Sequence, residues 1–426
     1  MPFQSLGLAA EFAPVLAERG YSVPTPIQRE AIPAILRGHD VLGMAQTGSG
    51  KTAAFSLPLL QHWASARHGT PRQLHALVLV PTRELAQQVA GVLQALAQPL
   101  ATPPKLVVLT GGVSINPQLM RLRGGADIVV ATPGRLLDVI ERNGLRIGHV
   151  ATLVLDEADR LLDLGFAQEL ARILRLLPAR RQNLLFSATF PAPVQALAAQ
   201  WLNDPQRIEV APELNAQGVA QITQRALQVD APRRTQLLRH LIDAQKWTRT
   251  LVFVATKHAA ETVADKLRKG GIAAEPFHGV LGQGKRSQVL LDFKAGRLQV
   301  VVATDLAARG IDIAQLPVVV NYDLPRSADD YIHRIGRTGR AGEEGLAVSF
   351  VPAASEAHFR LIEKRQGQAV ARETIAGFEP QEAPPTDAVR AGEVDPNGGI
   401  KGKRPSKKDK LRAAAARAAA DGQGRP

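Results

Sequence analysis

The stretch LVLDEADRLLD, residues 153 to 163, joins an apolar run to a cluster of acids. The run is followed directly by Asp156 and Glu157, with a further acid at Asp159. Buried apolar residues and carboxylates rarely adjoin, because an unpaired charge inside a protein is costly or takes up a proton. A lone acidic pair after a strand is most often a solvated turn. The alternative is that the acids at the end of the strand bind a metal ion. Motifs elsewhere in the chain distinguish these two interpretations.

Short apolar runs of the same kind recur along the chain, with helical stretches between them. In the first half they are DVLGMA (40–45), HALVLV (75–80), KLVVLT (105–110), DIVVAT (127–132), TLVLD (152–156) and NLLFSAT (183–189). In the second half they are RTLVFVAT (249–256), AAEPFH (273–278), QVVVAT (299–304), VVVNYD (318–323) and LAVSFV (346–351). Val- and Leu-rich runs that alternate with helices indicate parallel sheets covered on both faces. The chain therefore belongs to the α/β class, with two doubly wound domains.

The spacing of the predicted strands along the chain also predicts the domain boundaries. We expect a first domain over residues 1–208, a polar linker over 209–225, a second domain over 226–365 and a tail over 366–426. The tail is rich in Gly, Pro, Ala and charge, a composition typical of disorder. Residues 401–426 hold nine Lys and Arg against Asp409 and Asp421, a net of +7. We expect this tail to attract a polyanionic partner electrostatically, and the plainer alternative is a solubility extension.

Bulk composition narrows the class of protein. The 426 residues are 45% hydrophobic and carry a net charge of +13, which favours a polyanionic partner. The absence of cysteine excludes disulfides and thiolate metal sites, and the ten His are scattered without ligand-like spacing. No run approaches 18 apolar residues, and the start lacks the pattern of a signal peptide. These features predict a cytoplasmic protein that does not interact with membranes.

The segment AQTGSGKT, residues 45 to 52, follows the first apolar run and precedes a predicted helix. It departs from the phosphate-loop pattern G-x-x-x-x-G-K-[ST] only at Ala45. Gly48 and Gly50 let backbone N–H groups turn toward phosphate oxygens at the positive end of the helix. Lys51 can reach the β and γ phosphates of a nucleotide, and the Thr52 hydroxyl can hold Mg²⁺. The strand–loop–helix context makes nucleotide binding the favoured interpretation.

The acids of the opening stretch fit beside such a loop. Mg²⁺ prefers oxygen ligands and needs only one or two carboxylates when phosphates complete its shell. Asp156 is placed to share the ion with Thr52, directly or through water, as an acid at a strand tip does in other phosphate-loop enzymes. Glu157 is placed to orient or deprotonate an attacking water. The sequence therefore predicts a nucleotide and Mg²⁺ as cofactors.

With loop and acids paired, the chain resembles the DEAD-box RNA helicases, which are named after the letters of residues 156–159. The resemblance covers about residues 3 to 355, and its motifs fall in family order. They are GYSVPTPIQ (20–28), AQTGSGKT (45–52), PTRELAQQ (81–88), GG (111–112), TPGR (132–135), DEAD (156–159), SAT (187–189), LVFVATK (251–257), ATDLAARGID (303–312) and HRIGRTGR (333–340). The sequence as a whole, including its short tail, resembles the bacterial RhlE-like branch of the family. The resemblance implies two tandem RecA-like domains and an RNA-dependent ATPase that unwinds short RNA duplexes locally, with little sequence preference.

The resemblance also implies roles for residues at the ATP site. Tyr21 would stack on adenine, Gln28 would read its edge, and Asp312 would reach the ribose. Arg337 and Arg340 would act as arginine fingers, since a guanidinium stabilises charge developing in phosphoryl transfer. The predicted catalytic residues are Lys51, Asp156, Glu157, Arg337 and Arg340. The predicted nucleotide-binding residues are Tyr21, Gln28, Ala45, Gln46, Thr47, Gly48, Ser49, Gly50, Lys51, Thr52 and Asp312.

RNA contacts implied by the resemblance come from both domains and follow the sugar–phosphate backbone of single strands and short duplexes. The predicted RNA-binding residues are Pro81, Thr82, Arg83, Gly111, Gly112, Thr132, Pro133, Gly134, Arg135, Gln283, Arg286 and Thr304. The residues expected to couple hydrolysis to strand separation are Ser187, Thr189, Asp159 and His333. Ala255, and the stretch after His278, depart from the common family pattern, which weakens the assignments of RNA contacts in the second domain.

Three functions are compatible with these motifs. The favoured one is an RNA-unwinding enzyme, acting alone or within ribosomal or RNA-decay assemblies. The second is an RNA clamp in which ATP only locks the protein on RNA, and the third is a DNA translocase. A comparison of ATPase stimulation by RNA and by DNA separates the DNA translocase from the other two functions. A comparison of duplex release with ATP and with a non-hydrolysable analogue separates the unwinding enzyme from the clamp.

Overall fold

The apolar runs of the sequence form two parallel sheets in the computed structural model, which describes residues 3–45, 48–66, 69, 72–210, 222–308, 316–339 and 345–382. Each predicted run contains a strand. The expected α/β class, with two tandem domains of parallel strands covered by helices, is therefore confirmed. The greater part of the predicted tail, residues 383–426, lies outside the described residues.

The first domain contains seven strands, each preceded or followed by a helix. The strands are β1 (Val41–Met44), β2 (Ala76–Leu79), β3 (Leu106–Leu109), β4 (Ile128–Ala131), β5 (Thr152–Leu155), β6 (Gln182–Ser187) and β7 (Gln206–Glu209). The helices are α1 (Ala13–Glu18), α2 (Pro26–Leu36), α3 (Lys51–Ser65), α4 (Arg83–Leu96), α5 (Asn116–Arg121), α6 (Pro133–Glu141), α7 (Ala158–Asp163), α8 (Ala167–Leu176) and α9 (Ala192–Trp201). Two short 3₁₀ helices, Phe3–Leu6 and Ala10–Phe12, precede them.

The second domain repeats this plan. Its strands are β8 (Ile222–Gln228), β9 (Thr250–Val254), β10 (Ala274–Phe277), β11 (Val300–Thr304), β12 (Val318–Asn321), β13 (Gly345–Val351) and β14 (Arg372–Glu373). Its helices are α10 (Arg234–Ala244), α11 (Lys257–Lys269), α12 (Gln283–Lys294), α13 (Asp305–Ala308), α14 (Ala328–Ile335) and α15 (Glu356–Gln366). Two 3₁₀ helices, Ala231–Arg233 and Ala353–Ser355, cap the starts of α10 and α15.

Strand order positions the functional edge of each sheet. The first sheet runs β3-β4-β2-β5-β6-β1-β7 and the second runs β10-β11-β9-β12-β13-β8-β14. In the first sheet β6 lies between β1 and β5, so the loops after these three strands meet at one edge. Crevices at the carboxyl ends of parallel strands are where α/β folds bind ligands.

The side chains of the strands alternate between two cores. In β2, Val78 belongs to the core on one face of the sheet and Leu77 and Leu79 belong to the core on the other. All four residues of β2 are buried, as expected for a central strand covered on both faces. This burial holds the strand ends, and the loops that follow them, in fixed positions.

The structure differs from the predicted domain boundaries at two places. Residues 222–225, predicted as linker, belong to β8, which pairs with β13 and β14. Residues 372–373, predicted as tail, form β14, and Ile375 and Phe378 pack on a hydrophobic core of the second domain. Both segments are polar and were missed because ladder hydrogen bonds, and not burial of an apolar run, place them in the sheet. Residues 211–221 of the predicted linker lie outside the described residues.

Among the described residues, no helix is long and apolar enough to cross a membrane.

Candidate nucleotide and RNA site

The phosphate loop lies between β1 and α3, where the sequence predicted it. Gly48 and Gly50 have φ of +87° and +93°, a left-handed conformation that glycine adopts without strain. A Cβ on Gly50 would lie 2.4 Å from Nε2 of Gln28, so this position accepts only glycine. The Ser49 hydroxyl is buried without a hydrogen-bond partner among the described residues. Gln46 and Thr47 lie outside the described residues.

Gln28 ties the loop to α2. Its side-chain oxygen accepts a hydrogen bond from the Thr25 N–H at 2.9 Å, and its Nε2 donates to the Gly50 carbonyl at 3.1 Å. One N–H and one lone pair of the amide remain available for a ligand. Tyr21 is half-buried nearby, with its ring centroid 6.4 Å from that of Phe3. Gln28 is therefore both a support of the phosphate loop and a candidate adenine contact.

Lys51 points into the protein at the start of α3. Its ammonium group is buried and donates a hydrogen bond to the carbonyl of Ala45. Burial lowers the pKa of Lys51, while Asp156 and Glu157 act in the opposite direction. A cation held this way, beside the positive end of a helix, is available to a phosphate group.

The two acids of the opening stretch are buried at the carboxyl end of β5. Burial raises the pKa of Asp156 to about 7, and nearby Lys51 opposes the rise. Glu157 has φ of +53°, a left-handed conformation that is strained for a side-chain-bearing residue. The Glu157 Oε2 atom is 3.6 Å from Arg160 Nε and has no hydrogen-bond partner among the described residues. Strain and unpaired polar atoms of this kind cluster at ligand sites.

These groups fit a nucleotide-bound Mg²⁺ ion. Asp156 and Glu157 are adjacent buried carboxylates beside Lys51 and Arg160, and a divalent ion would stabilise their ionised forms. Within the described residues no group of three or more His, Cys, Asp or Glu could hold a metal by itself.

Asp159 joins the DEAD motif to the SAT motif at the end of β6. Its Oδ2 accepts hydrogen bonds from the Thr189 N–H at 3.1 Å and the Thr189 hydroxyl at 2.8 Å. The Asp159 N–H donates to the Ser187 hydroxyl at 3.2 Å, and that hydroxyl donates to the Thr189 carbonyl at 2.7 Å. The structure thus brings together three of the four residues expected to couple hydrolysis to strand separation.

The fourth, His333, approaches this network from α14 of the second domain. Burial, followed by the positive charge of Arg160, lowers the pKa of His333 to about 4, while Asp159 opposes the shift. Arg337 follows α14 and is buried. Arg340 and Asp312 lie outside the described residues, so their expected contacts with phosphate and ribose stay predictions.

Arg334, the first arginine of the same motif, has a structural role. It pairs with Asp305 through two hydrogen bonds of 2.6 and 2.7 Å and also donates to Asn321 and the Asp323 carbonyl. Its guanidinium lies 4.9 Å from the ring centroid of Phe253. It therefore fixes α14 to the carboxyl ends of three neighbouring strands.

A cleft of about 400 Å³ opens between residues of the two domains. Its lining includes six predicted RNA-binding residues, which are Pro81, Thr82, Arg83, Gly111, Thr132 and Arg286. It also includes six that the sequence did not indicate, which are Glu84, Leu164, Phe166, Gly279, Leu306 and Ala307. The predicted contacts Gly112, Pro133, Gly134, Arg135, Gln283 and Thr304 do not line it.

Two arginines predicted to contact RNA are used inside the protein. Arg135 is buried and donates to the Val113 carbonyl at 2.9 Å, which holds the loop at residues 111–113. Arg286 is buried and pairs with Glu84 of the first domain, with 3.0 Å between Nη2 and Oε1. Neither contact could be predicted, because the motif around an arginine does not show whether its guanidinium binds RNA phosphate or a group of the protein itself.

Glycine is required in the loop that Arg135 supports. Gly112 has φ of +73°, and a Cβ there would lie 2.4 Å from Arg83 Nη1. The absence of a side chain lets the Arg83 guanidinium lie against the loop, at the wall of the cleft. The loop and Arg83 therefore position each other.

Comparisons with known proteins agree with this geometry. The DEAD/DEAH box helicase family matches residues 25–197, and the helicase conserved C-terminal domain matches residues 233–342. DEAD-box ATP-dependent RNA helicase CshA of Geobacillus kaustophilus is 40% identical over 362 residues, which cover 85% of this chain and 76% of the relative. ATP-dependent RNA helicase CshA of Listeria monocytogenes is 39% identical over 393 residues, which cover 92% of this chain and 72% of the relative. The RhlE-like branch is not supported, because these relatives are CshA helicases.

Solved structures bear on the arrangement of the two domains. Dbp5 of S. cerevisiae bound to RNA and ADP BeF3 matches with a TM-score of 0.77 at 32% identity, over 88% of this chain and 95% of that one. Mss116p bound to ssRNA and AMP-PNP matches with a TM-score of 0.78 at 29% identity, over 88% of this chain and 80% of that one. A Dbp5 variant bound to nup159, gle1, ip6 and adp matches with a TM-score of only 0.59 at 30% identity, over 88% of this chain and 96% of that one. The domains of this chain are thus arranged more like those of the RNA-bound forms.

Proposed function

Because this chain belongs to the DEAD-box ATP-dependent RNA helicases, which bind RNA and use ATP to unwind it, we propose that its two domains close over both ligands at once. Closure assembles the ATP site and bends or excludes one strand of a short duplex. The observation that carries this proposal is the interdomain contact between Glu84 and Arg286, which exists only when the halves meet.

The assignments at the ATP site follow from the buried groups. Lys51 binds the phosphates, and Glu157 orients the attacking water and takes its proton. Arg337, together with Arg340, stabilises negative charge on the transferring phosphoryl group. Support comes from the buried Glu157 Oε2 and Ser49 hydroxyl, which make no hydrogen bond to another described residue and could therefore serve as polar partners of a nucleotide and its water.

Thr52 and Asp156 would hold Mg²⁺, which supplies charge neutralisation for the β and γ phosphates when it is bound. The raised pKa of Asp156 supports this assignment, because a cation would restore the ionised carboxylate.

RNA contacts are proposed for the residues that line the cleft. Arg83 and the backbone around Thr82, Gly111 and Thr132 face the cleft and suit sugar–phosphate groups. Arg135 and Arg286 act instead by positioning the 111–113 loop and the second domain. Gly112, Pro133, Gly134, Gln283 and Thr304 remain predicted contacts of the expected RNA path.

The clamp hypothesis keeps the same site but assigns hydrolysis only to release. One experiment separates the two: a short RNA duplex in excess over the protein is incubated with either ATP or a non-hydrolysable analogue, and single-strand release is followed. An unwinding enzyme releases strands over many turnovers only with ATP, whereas a clamp holds RNA without catalytic strand release. Substituting a DNA duplex of equal length tests the preference for RNA, and a cytoplasmic location remains part of this proposal.

A further inference from the structure

Three segments of the second domain bring positive charge to the edge of the sheet opposite the cleft. Helices α10, α11 and α12 each run directly into β9, β10 and β11, so their C-terminal ends meet where these parallel strands begin. Residues 239–249, 265–269 and 292–297 together hold eight Lys and Arg against three Asp, a net of +5. Residues 1–365, which precede the tail, carry a net charge of +10. These three short segments therefore hold half of that excess on one surface, which we call the basic edge.

The basic edge is one contiguous surface. Ala274, Val300 and Thr250 are in register at the starts of three neighbouring strands, which lie about 4.8 Å apart. The Gln299 side chain donates to the Trp247 carbonyl at 2.7 Å, which joins the turn after α10 to the turn after α12. The Arg239 side chain lies against Gly270, which joins α10 to the end of α11.

Several of these cations have nothing else to neutralise them. Arg239, Lys246 and Lys266 are exposed and Arg249 is half-buried, and none makes a side-chain hydrogen bond or ion pair to another described residue. Lys269 and Arg268 pair with Asp265 at 2.8 and 3.8 Å, but exposed pairs of this kind are weak and exchange easily with another anion.

Helix dipoles explain only part of this pattern. Cations in the last turn of a helix stabilise its negative end, which accounts for Lys266, Arg268 and Lys269 on α11. Arg239 lies in the middle of α10, and Lys246 and Arg249 lie beyond its last residue. A groove of about 620 Å³ opens beside Arg239, with His240 and Phe378 in its wall. Concave, basic surfaces with ring faces suit nucleic acid.

We propose that the basic edge is a second RNA-binding surface, which holds the sugar–phosphate backbone of an RNA segment that the cleft does not contain. Five-residue strands separate it from the carboxyl edge by roughly 16 Å, so a short strand bound in the cleft does not reach it. A longer or folded RNA does. The proposal rests on the RNA helicase function above, and it assigns to the folded domain part of the electrostatic attraction otherwise expected from the tail.

The test uses the full chain with four substitutions, Arg239→Gln, Lys246→Gln, Arg249→Gln and Lys266→Gln. A matched control removes four exposed cations of the first domain, Arg37→Gln, Arg142→Gln, Arg146→Gln and Arg175→Gln. Binding is measured across a salt series for a single strand of roughly ten nucleotides and for the same strand joined to a hairpin. Circular dichroism and thermal unfolding of each variant show that the fold is kept.

For the hairpin RNA, the basic-edge variant should lose roughly 3 units of log–log salt slope and at least about tenfold in affinity at low salt, whereas the control variant keeps both. Affinity for the short strand should not change. Equal slopes for the variant and the unmodified chain would overturn the proposal, as would an equal loss in the control. If hairpin binding is unchanged while binding of polyglutamate is lost, the surface takes an acidic protein and the proposal also fails. Failure of the unmodified chain to bind either RNA would refute the proposed function instead.

Discussion

Glu84 and Arg286 form an ion pair across the cleft, with 3.0 Å between the carboxylate and guanidinium atoms and both side chains buried. The Arg286 guanidinium also lies 5.1 Å from the ring centroid of Phe277. Breaking one partner of a buried pair costs about 3–5 kcal/mol, because the remaining charge is left without compensation. Opening the cleft exposes both groups to water. Loss of one partner therefore destabilises the closed arrangement of the two domains and not the fold of either domain.

We therefore expect Glu84→Gln and Arg286→Gln to weaken RNA binding in the presence of an ATP analogue by at least about tenfold, and to leave the unfolding temperature nearly unchanged. The exchange of both charges, Glu84→Arg with Arg286→Glu, should restore a large part of the loss. Fluorescence anisotropy with labelled RNA measures the affinities. If Arg286 contacts RNA phosphate instead, the exchange will not rescue binding.

The phosphate loop gives a second prediction. Lys51→Ala should abolish ATP hydrolysis without unfolding the protein, because the ammonium group is directed at the ligand site and, among the described residues, donates its hydrogen bond to the Ala45 carbonyl. The fold should be kept, because the desolvation of the buried ammonium group and its attraction to Asp156 and Glu157 act in opposite directions on stability. Phosphate release and thermal unfolding are the two measurements, and normal turnover would exclude the assignment of the loop.

Glu157→Gln should separate binding from chemistry. The amide keeps the shape of the side chain but cannot take a proton, so hydrolysis should fall by about 10²–10⁴-fold while ATP and RNA still bind. Equilibrium binding of a fluorescent ATP analogue checks the first half, and single-turnover hydrolysis checks the second. An equal loss of ATP binding would make Glu157 a metal ligand or a structural residue.

His333 predicts a pH dependence of closure. Its pKa is about 4 in the closed cleft, while an exposed histidine titrates near 6.5. The open arrangement therefore binds more protons between these values, and closure weakens as the pH falls through this window. From pH 7.5 to 5.5 the RNA affinity measured with an ATP analogue should fall by about tenfold more than the affinity without it. His333→Gln should remove this extra loss, and an identical pH profile in the two proteins would contradict it.

The sequence predicted most strands of the two sheets because they are short, buried and mainly apolar runs, as β2 and β12 illustrate. The polar strands β7 and β8 and the two-residue β14 escaped prediction, because hydrogen bonding to neighbours far along the chain defines them. Within the site, the loop glycines and the pair Asp156 and Glu157 were predicted from their local spacing.

Contacts between distant segments could not be predicted in the same way. The hydrogen bonds that Thr189 donates to Asp159 were expected only as a functional coupling, and the pairing of Arg334 with Asp305 was not expected. The pairing of Arg286 with Glu84 depends on the closed arrangement of two domains, which local sequence does not encode.

The central claim is that one closing cleft binds ATP and RNA together. Its most direct test is the affinity of a short RNA measured with and without a saturating ATP analogue, alongside the affinity of the analogue measured with and without RNA. Linkage requires the two ligands to strengthen each other by the same factor, which we expect to be about 5–150-fold, and Arg337→Ala or Arg340→Ala should remove most of it. Equal RNA affinity with and without the analogue in the unmodified chain would contradict the closing-cleft account.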